Sequence, residues 1–372
     1  MNTFAERARL LLARQPLFDA HVDSIGFAVD LGVDLAERQP QGQLDLVRAR
    51  EGGLGSVVFV AWPDPALFAG NTRERALAMF AATHELAERA PERVRVVRDG
   101  DELERAHADG VIGAILGLEG GRALGESLDT LAEFHARGLR VLTLVWNDHL
   151  AWARSCQPCD DPAVPAGLSG LGRAVVARAN ELGILVDLSH AGERTFYDAL
   201  ETSAKPAVAS HSGCRALHDH PRNLTDDQLR ALAANDGVVG IVFHPGFLDA
   251  DARAEEFRVR RLEAYLSIDP ATPARAFVEM QRILQRDAAP FPLERVVDHV
   301  LHAIEIAGPR HVGIGSDFDG IERAPRGLED ASLYPNLVEA LFEQGLDEET
   351  IAGIVGGNFE RVFRAATNGS HT

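Results

Sequence analysis

At 372 residues and 46% hydrophobic content, the chain can bury a sizeable core as one large domain or two ordinary ones. Its 37 basic and 56 acidic side chains leave a net charge of −19, which argues against nucleic acid or an anionic membrane as a partner. Three cysteines cannot build a disulfide framework, and no apolar run approaches the roughly 18 residues that span a bilayer, so a reduced, cytoplasmic setting is expected.

The first segment, Met-Asn-Thr-Phe-Ala-Glu-Arg-Ala-Arg-Leu-Leu-Leu-Ala-Arg, mixes charged and apolar residues at helical spacing and has no signal-peptide cleavage site. Thereafter apolar runs of strand length alternate with amphipathic helical stretches. The runs lie at 17–23, 55–62, 111–119, 141–146, 184–190, 207–211, 238–244 and 311–317. Most are rich in Val, Ile and Leu on both faces, as strands of a buried parallel sheet are. Helical patterns intervene at 72–89, 127–137, 170–182, 193–202, 226–234 and 292–307. Pro292 suits a first turn, and Gly138, Gly183 and Gly308 follow helices where a left-handed residue is favoured. Cys156 and Cys159 form a lone C-x-x-C in a polar loop. With no second ligand pair nearby to complete a zinc site, they read as ordinary thiols. The charged stretch at 246–291 reads as an elaborated crossover between the seventh and eighth strands, able to cover the site or a neighbouring subunit.

Alternation of this kind gives either a closed barrel or an open doubly wound sheet. The barrel is favoured by the strand count and by the absence of a G-x-G-x-x-G after the first strand. It is favoured again by where the metal-ligand side chains fall. His21 and Asp23 end the first run, Glu119 the third, His190 the fifth, His211 the sixth, and Asp317 and Asp319 the eighth. An open sheet gathers its site near one switch point, whereas a barrel gathers every strand end on one rim, where its catalytic residues sit. His21 and Asp23, two apart on a strand, point to the same side and can reach one cation. The expectation is a single (β/α)8 barrel over 1–372, of the metal-dependent hydrolase type.

Several motifs make the chain resemble the membrane (renal) dipeptidase family of metallopeptidases, among the amidohydrolase-like barrels. They are Asp-Ala-His-Val-Asp-Ser at 19–24, Gly-Leu-Glu-Gly-Gly at 117–121, Gly-Leu-Ser-Gly-Leu-Gly-Arg at 167–173 and Val-Asp-Leu-Ser-His at 186–190. Ser-His-Ser at 210–212, His-Pro-Arg-Asn-Leu-Thr-Asp-Asp-Gln-Leu at 220–229, Gly-Ile-Gly-Ser-Asp-Phe-Asp-Gly at 313–320 and Gly-Gly-Asn-Phe-Glu-Arg-Val-Phe at 356–363 complete the set. The resemblance implies two zinc ions bridged by Glu119, one held further by His21 and Asp23, the other by His190 and His211. Imidazole and carboxylate donors suit zinc on chemical grounds as well. It implies a water between the cations, acidified to hydroxide near neutral pH, that attacks a dipeptide. Asp317 matches the family's proton-transferring carboxylate, and Arg222 its ligand for the substrate's C-terminal carboxylate. Thr225, by its position, should cap the helix that follows.

In one place the chain departs from the family pattern. Where well-known members have a histidine that contacts the scissile carbonyl, this chain reads Leu-Thr-Leu-Val-Trp-Asn, with Trp146 at that position. Asn147 or His149 could supply the contact, or the metal alone, and Trp146 and Asn147 are taken as substrate-binding candidates. His218, His220 and His244 fall outside the five-ligand set, and Asp187 and Asp319 are expected to orient ligands. The expected substrate is a dipeptide, including L-Xaa-D-Xaa, and a homodimer is compatible with the sequence. A related amidase or lactonase, or a non-catalytic metal-binding relative, are the rival readings, and Arg222 distinguishes the dipeptide reading from the first two.

Overall fold

The computed structural model describes residues 3–269 and 273–368. Among the described residues nine strands run in chain order, and every pairing between them is parallel. They are β1 (Leu17–Val22), β2 (Leu54–Ala61), β3 (Val94–Val96), β4 (Ile112–Glu119), β5 (Leu139–Thr143), β6 (Leu185–Asp187), β7 (Val208–Ser212), β8 (Val238–Ile241) and β9 (Val312–Ile314). Strand β2 pairs with β1 and also with β4, in register from Ser56↔Gly113 to Ala61↔Leu118. That second pairing closes a ring of eight strands and leaves β3 outside it. The (β/α)8 barrel expected from the sequence is what forms.

Two expectations need correction. The three-residue β3 pairs with Ile112–Ala114 at the start of β4, while β5 takes Leu116–Glu119. A strand this short, holding one arginine between two valines, carries too little periodicity to announce itself. It also shifts the count, so the elaborated segment lies between the eighth and ninth strands of the sheet rather than the seventh and eighth. Pro292 is not in the helix it was expected to open: that helix is Glu294–Ala307, and Pro292 instead bridges to Arg326.

Other local signals hold. Gly183 ends the helix Gly170–Leu182 at φ 75°, a conformation that costs a glycine nothing. Thr225 caps Asp226–Ala234 in a reciprocal capping box with Gln228.

The strands are buried on both faces, since helices cover the outside and side chains fill the inside. Phe18, Val58, Ile115, Val141, Val208 and Val238 form an interior cluster with Phe359 and Phe363. The last two belong to the C-terminal helix Asn358–Thr367, which lies against β1, β6, β8 and β9 and so plugs one mouth of the barrel. Phe359 stacks on Phe18, near the start of β1, at 5.4 Å between centroids. The opposite mouth, at the strand C-termini, is left for the polar residues. No helix among the described residues is long and apolar enough to cross a membrane.

Candidate metal centre

All six of the expected centre residues meet at that open mouth. His21, Glu119 and His211 sit within β1, β4 and β7, so the ladders aim them. His190 and Asp317 lie three residues beyond β6 and β9, at φ 66° and 62°. The apolar runs that end in them are therefore longer than the strands: the chain leaves the sheet and turns left-handed to swing each side chain inward. Left-handed non-glycine residues carry local strain and cluster at functional sites. Here three of the four among the described residues (His190, Asp317 and Asp319) belong to this rim.

One carboxylate oxygen holds the middle. Glu119 Oε1 is 2.8 Å from His190 Nε2, 3.5 Å from His211 Nε2 and 3.7 Å from His21 Nε2. His190 and His211 face each other through their Nε2 atoms at 3.1 Å, and His21 Nε2 is 3.5 Å from Asp23. Asp23, Asp317 and His21 form a second ligand group beside Glu119, His190 and His211, and His21, His211 and Asp187 a third. Gly320 makes room for this: a Cβ there would stand 2.3 Å from Asp317 Oδ1 and 2.4 Å from Asp23 Oδ2.

The donors suit a metal. His21 Nε2 is fully enclosed and has no hydrogen-bond partner in the protein, a costly arrangement for a polar atom. Burial, with nearby positive charge, holds His190 and His211 well below the usual imidazole range, so both present neutral nitrogen lone pairs. Burial also raises Glu119 well above the carboxylate range, opposed by His21, and lifts Asp317 to about 7. Burial pulls His21 down, but Glu119, Asp23 and Asp317 together outweigh it and push the ring up to about 10. A dication in this cluster would neutralise the crowded carboxylates directly, and nitrogen and oxygen donors of this kind suit zinc.

The surrounding residues hold the centre in place. Asp187 accepts from Ser210 Oγ at 2.7 Å and Thr143 Oγ1 at 2.5 Å, and Ser210 Oγ meets His211 Nδ1 at 2.8 Å. It fixes the His211 ring through the serine. Asp319 instead accepts from Ser24 and from the Gln43 backbone N–H, tying the loop at 42–44 to the rim. Asn147 stands behind His190, its Oδ1 3.0 Å from Nδ1 and 3.1 Å from Gln157 Nε2. His149 Nδ1 is taken by the Ser155 backbone N–H at 3.2 Å. Trp146 lies 6.3 Å from the His190 ring and 4.9 Å from Trp62. Cys156 and Cys159 are free thiols, and the Cys156 N–H donates to the His190 carbonyl at 2.7 Å.

Arg222 is buried beside the centre. One terminal nitrogen donates to the His211 carbonyl at 3.0 Å, while Nε is enclosed without a partner. With His190, Cys156, Ser212 and Arg215 it lines a cavity of about 460 Å³. Its guanidinium lies over Phe247, which is itself stacked between His220 and His244 at 4.6 and 4.1 Å. Phe247 opens the elaborated segment, which thus reaches the site. The sequence reading missed Phe247, and it missed Asp19, which accepts backbone N–H bonds from His21 and Ser316 and so ties β1 to β9. Its signal was legible: an aspartate two residues before His21 in an otherwise apolar run.

A parallel barrel with buried imidazoles and carboxylates on its C-terminal rim defines a metal-dependent hydrolase. The chain matches the membrane dipeptidase family (peptidase family M19) over residues 5–372 and belongs to it, as an amidohydrolase-like metallopeptidase acting on peptide bonds. An uncharacterized dipeptidase of Schizosaccharomyces pombe is 30% identical over 385 residues, 98% of this chain and 84% of the relative. The crystal structure of the probable dipeptidase PvdM from Pseudomonas aeruginosa superposes with a TM-score of 0.84 at 25% identity, covering 98% of each chain. A metallopeptidase from Rhodobacter sphaeroides, liganded with a phosphinate mimic of the dipeptide L-Ala-D-Ala, gives 0.79 at 29% identity, covering 94% of this chain and 99% of the other.

Proposed function

We propose that this chain is a zinc-dependent dipeptidase holding two zinc ions bridged by Glu119, and that it accepts L-Xaa-D-Xaa substrates. The observation that carries the reading is the position of Glu119 Oε1, within 3.7 Å of three imidazole Nε2 atoms, two from β1 and β7 and one from the turn after β6. His21 and Asp23 would complete one ion's shell, His190 and His211 the other's. When bound, the ions acidify the attacking water and polarise the scissile carbonyl.

The chain's own residues do the rest. Asp317, buried on the rim beside His21 and Asp23, takes the water's proton and delivers it to the leaving amine, the general acid–base task a carboxylate placed there can perform. Arg222, which lines the cavity beside His190, offers its guanidinium to the substrate's C-terminal carboxylate. The phosphinate mimic of L-Ala-D-Ala bound to the Rhodobacter sphaeroides metallopeptidase supports a D-residue in second position. The three free thiols accord with the cytoplasm.

The test is hydrolysis of L,L and L,D dipeptides by the zinc-loaded protein, beside the same peptides amidated at the C-terminus. The free acids should be cleaved and the amides should be poor substrates. Equal cleavage of acid and amide would remove the role of Arg222 and favour an amidase.

A further inference from the structure

Two tryptophans stand on the rim with the ligands. Trp62 directly follows β2 and Trp146 lies three residues beyond β5. Their ring centroids are 4.9 Å apart at 53°, and Trp146 is 6.3 Å from His190. Both are half-buried, whereas the remaining tryptophan, Trp152, is 2% exposed. The Trp62 indole N–H is enclosed and donates to nothing in the protein. Indole rings carry more apolar surface than any other side chain and gain most from an aromatic or aliphatic partner. Trp62 meets the Trp146 ring, and Trp146 also faces the His190 ring.

The ring order gives the pair a direction. Around the closed barrel the strands run β1, β2, β4, β5, β6, β7, β8, β9, so β2 stands opposite β7. Arg222 and its polar cavity follow β7. A dipeptide anchored there by its carboxylate and laid across the centre carries its first residue towards the β2–β5 side. We propose that Trp62 and Trp146 form the subsite for the side chain of the substrate's first residue, selecting large apolar or aromatic groups over glycine. The proposal rests on the dipeptidase reading above and adds a substrate class to it.

The experiment compares kcat/KM for Phe-Ala and Gly-Ala on zinc-loaded wild type, Trp62→Ala, Trp146→Ala and Trp62→Phe, with zinc content and thermal melting as controls for folding. The Phe-Ala to Gly-Ala ratio is the readout. It should exceed about tenfold in the wild type, fall towards one in each alanine variant, and survive largely in Trp62→Phe, which keeps a ring. A wild-type ratio near one, or a ratio that neither alanine variant lowers, overturns the proposal. A second measurement separates it from the reading it rests on: tryptophan emission of the zinc-loaded protein titrated with non-hydrolysable phosphinate analogues of Phe-Ala and Gly-Ala. The phenylalanine analogue should perturb the emission more, and Trp62→Ala should abolish the difference. If no dipeptide is cleaved while that difference is present, the dipeptidase reading fails and the aromatic subsite stands. Emission that does not distinguish the analogues overturns the subsite.

Discussion

His190 Nδ1 lies 3.0 Å from Asn147 Oδ1, while Nε2 of the same ring lies 2.8 Å from Glu119. An amide oxygen only accepts, so Nδ1 carries the proton and Nε2 keeps its lone pair for the centre. Asn147 therefore sets the tautomer of a neighbour, whereas the sequence placed it beside the substrate. Asn147→Ala should weaken zinc binding by about 10–100-fold, the usual cost of losing such a partner. Asn147→Asp, which keeps the acceptor, should restore most of it. Zinc competition against a chelator reads both, and unchanged affinity in the alanine variant would remove this role.

Asp317→Asn should retain fold and zinc but lose about 10²–10⁴-fold in turnover, the range of general acid–base assistance. The left-handed turn that aims this side chain is backbone geometry and accepts asparagine as readily as aspartate. A loss below tenfold would show that another group moves the proton.

Arg222→Met should lower kcat/KM on dipeptides by about 10–150-fold, equivalent to the roughly 1.5–3 kcal/mol of a charge-assisted contact. The variant should lose its discrimination between acid and amide at the same time. Reduced rates with discrimination intact would mean that Arg222 only braces the His211 carbonyl it already touches.

Much of this arrangement was legible in the sequence because a barrel strand announces itself twice, by its apolar run and by the polar residue that ends it. His21, Glu119 and His211 stayed in their strands, and Thr225 and Gly183 capped their helices. What escaped depended on turns and on distant contacts. Nothing local says that the chain leaves β6 before His190 or that Asp319 faces the loop at 42–44 and not the imidazoles of the centre. The clamp on Phe247 joins His244, three positions away, with His220, about 27 positions away, and Phe247 itself lies in a segment whose composition reads only as charged and helical.

Acid should destabilise the fold through a histidine remote from the centre. His299 is buried, its Nδ1 accepting the Cys214 N–H at 2.9 Å and its Nε2 donating to the Leu248 carbonyl at 3.0 Å. Burial holds its pKa down at about 4, below the ordinary 6.5. Between those values the unfolded chain binds the proton and the folded chain does not. The stabilisation is thus present above pH 6.5 and lost as pH falls towards 4, by about 3 kcal/mol at 1.36 kcal/mol per unit. Urea unfolding of wild type and His299→Gln across pH 4–7 should show a shallower dependence in the variant. Identical slopes would place the acid sensitivity elsewhere.

The central claim is that two zinc ions share Glu119 and act together on a peptide bond. Titrating metal-free protein with zinc, while following L-Ala-D-Ala hydrolysis and bound metal in the same samples, tests it most directly. Activity should rise to a plateau at about two ions per chain, as two ions sharing one bridge require. Glu119→Ala should bind neither ion tightly, because its carboxylate faces all three imidazoles. Full activity with a single tight ion, or two bound ions without any dipeptide hydrolysis, would contradict the account.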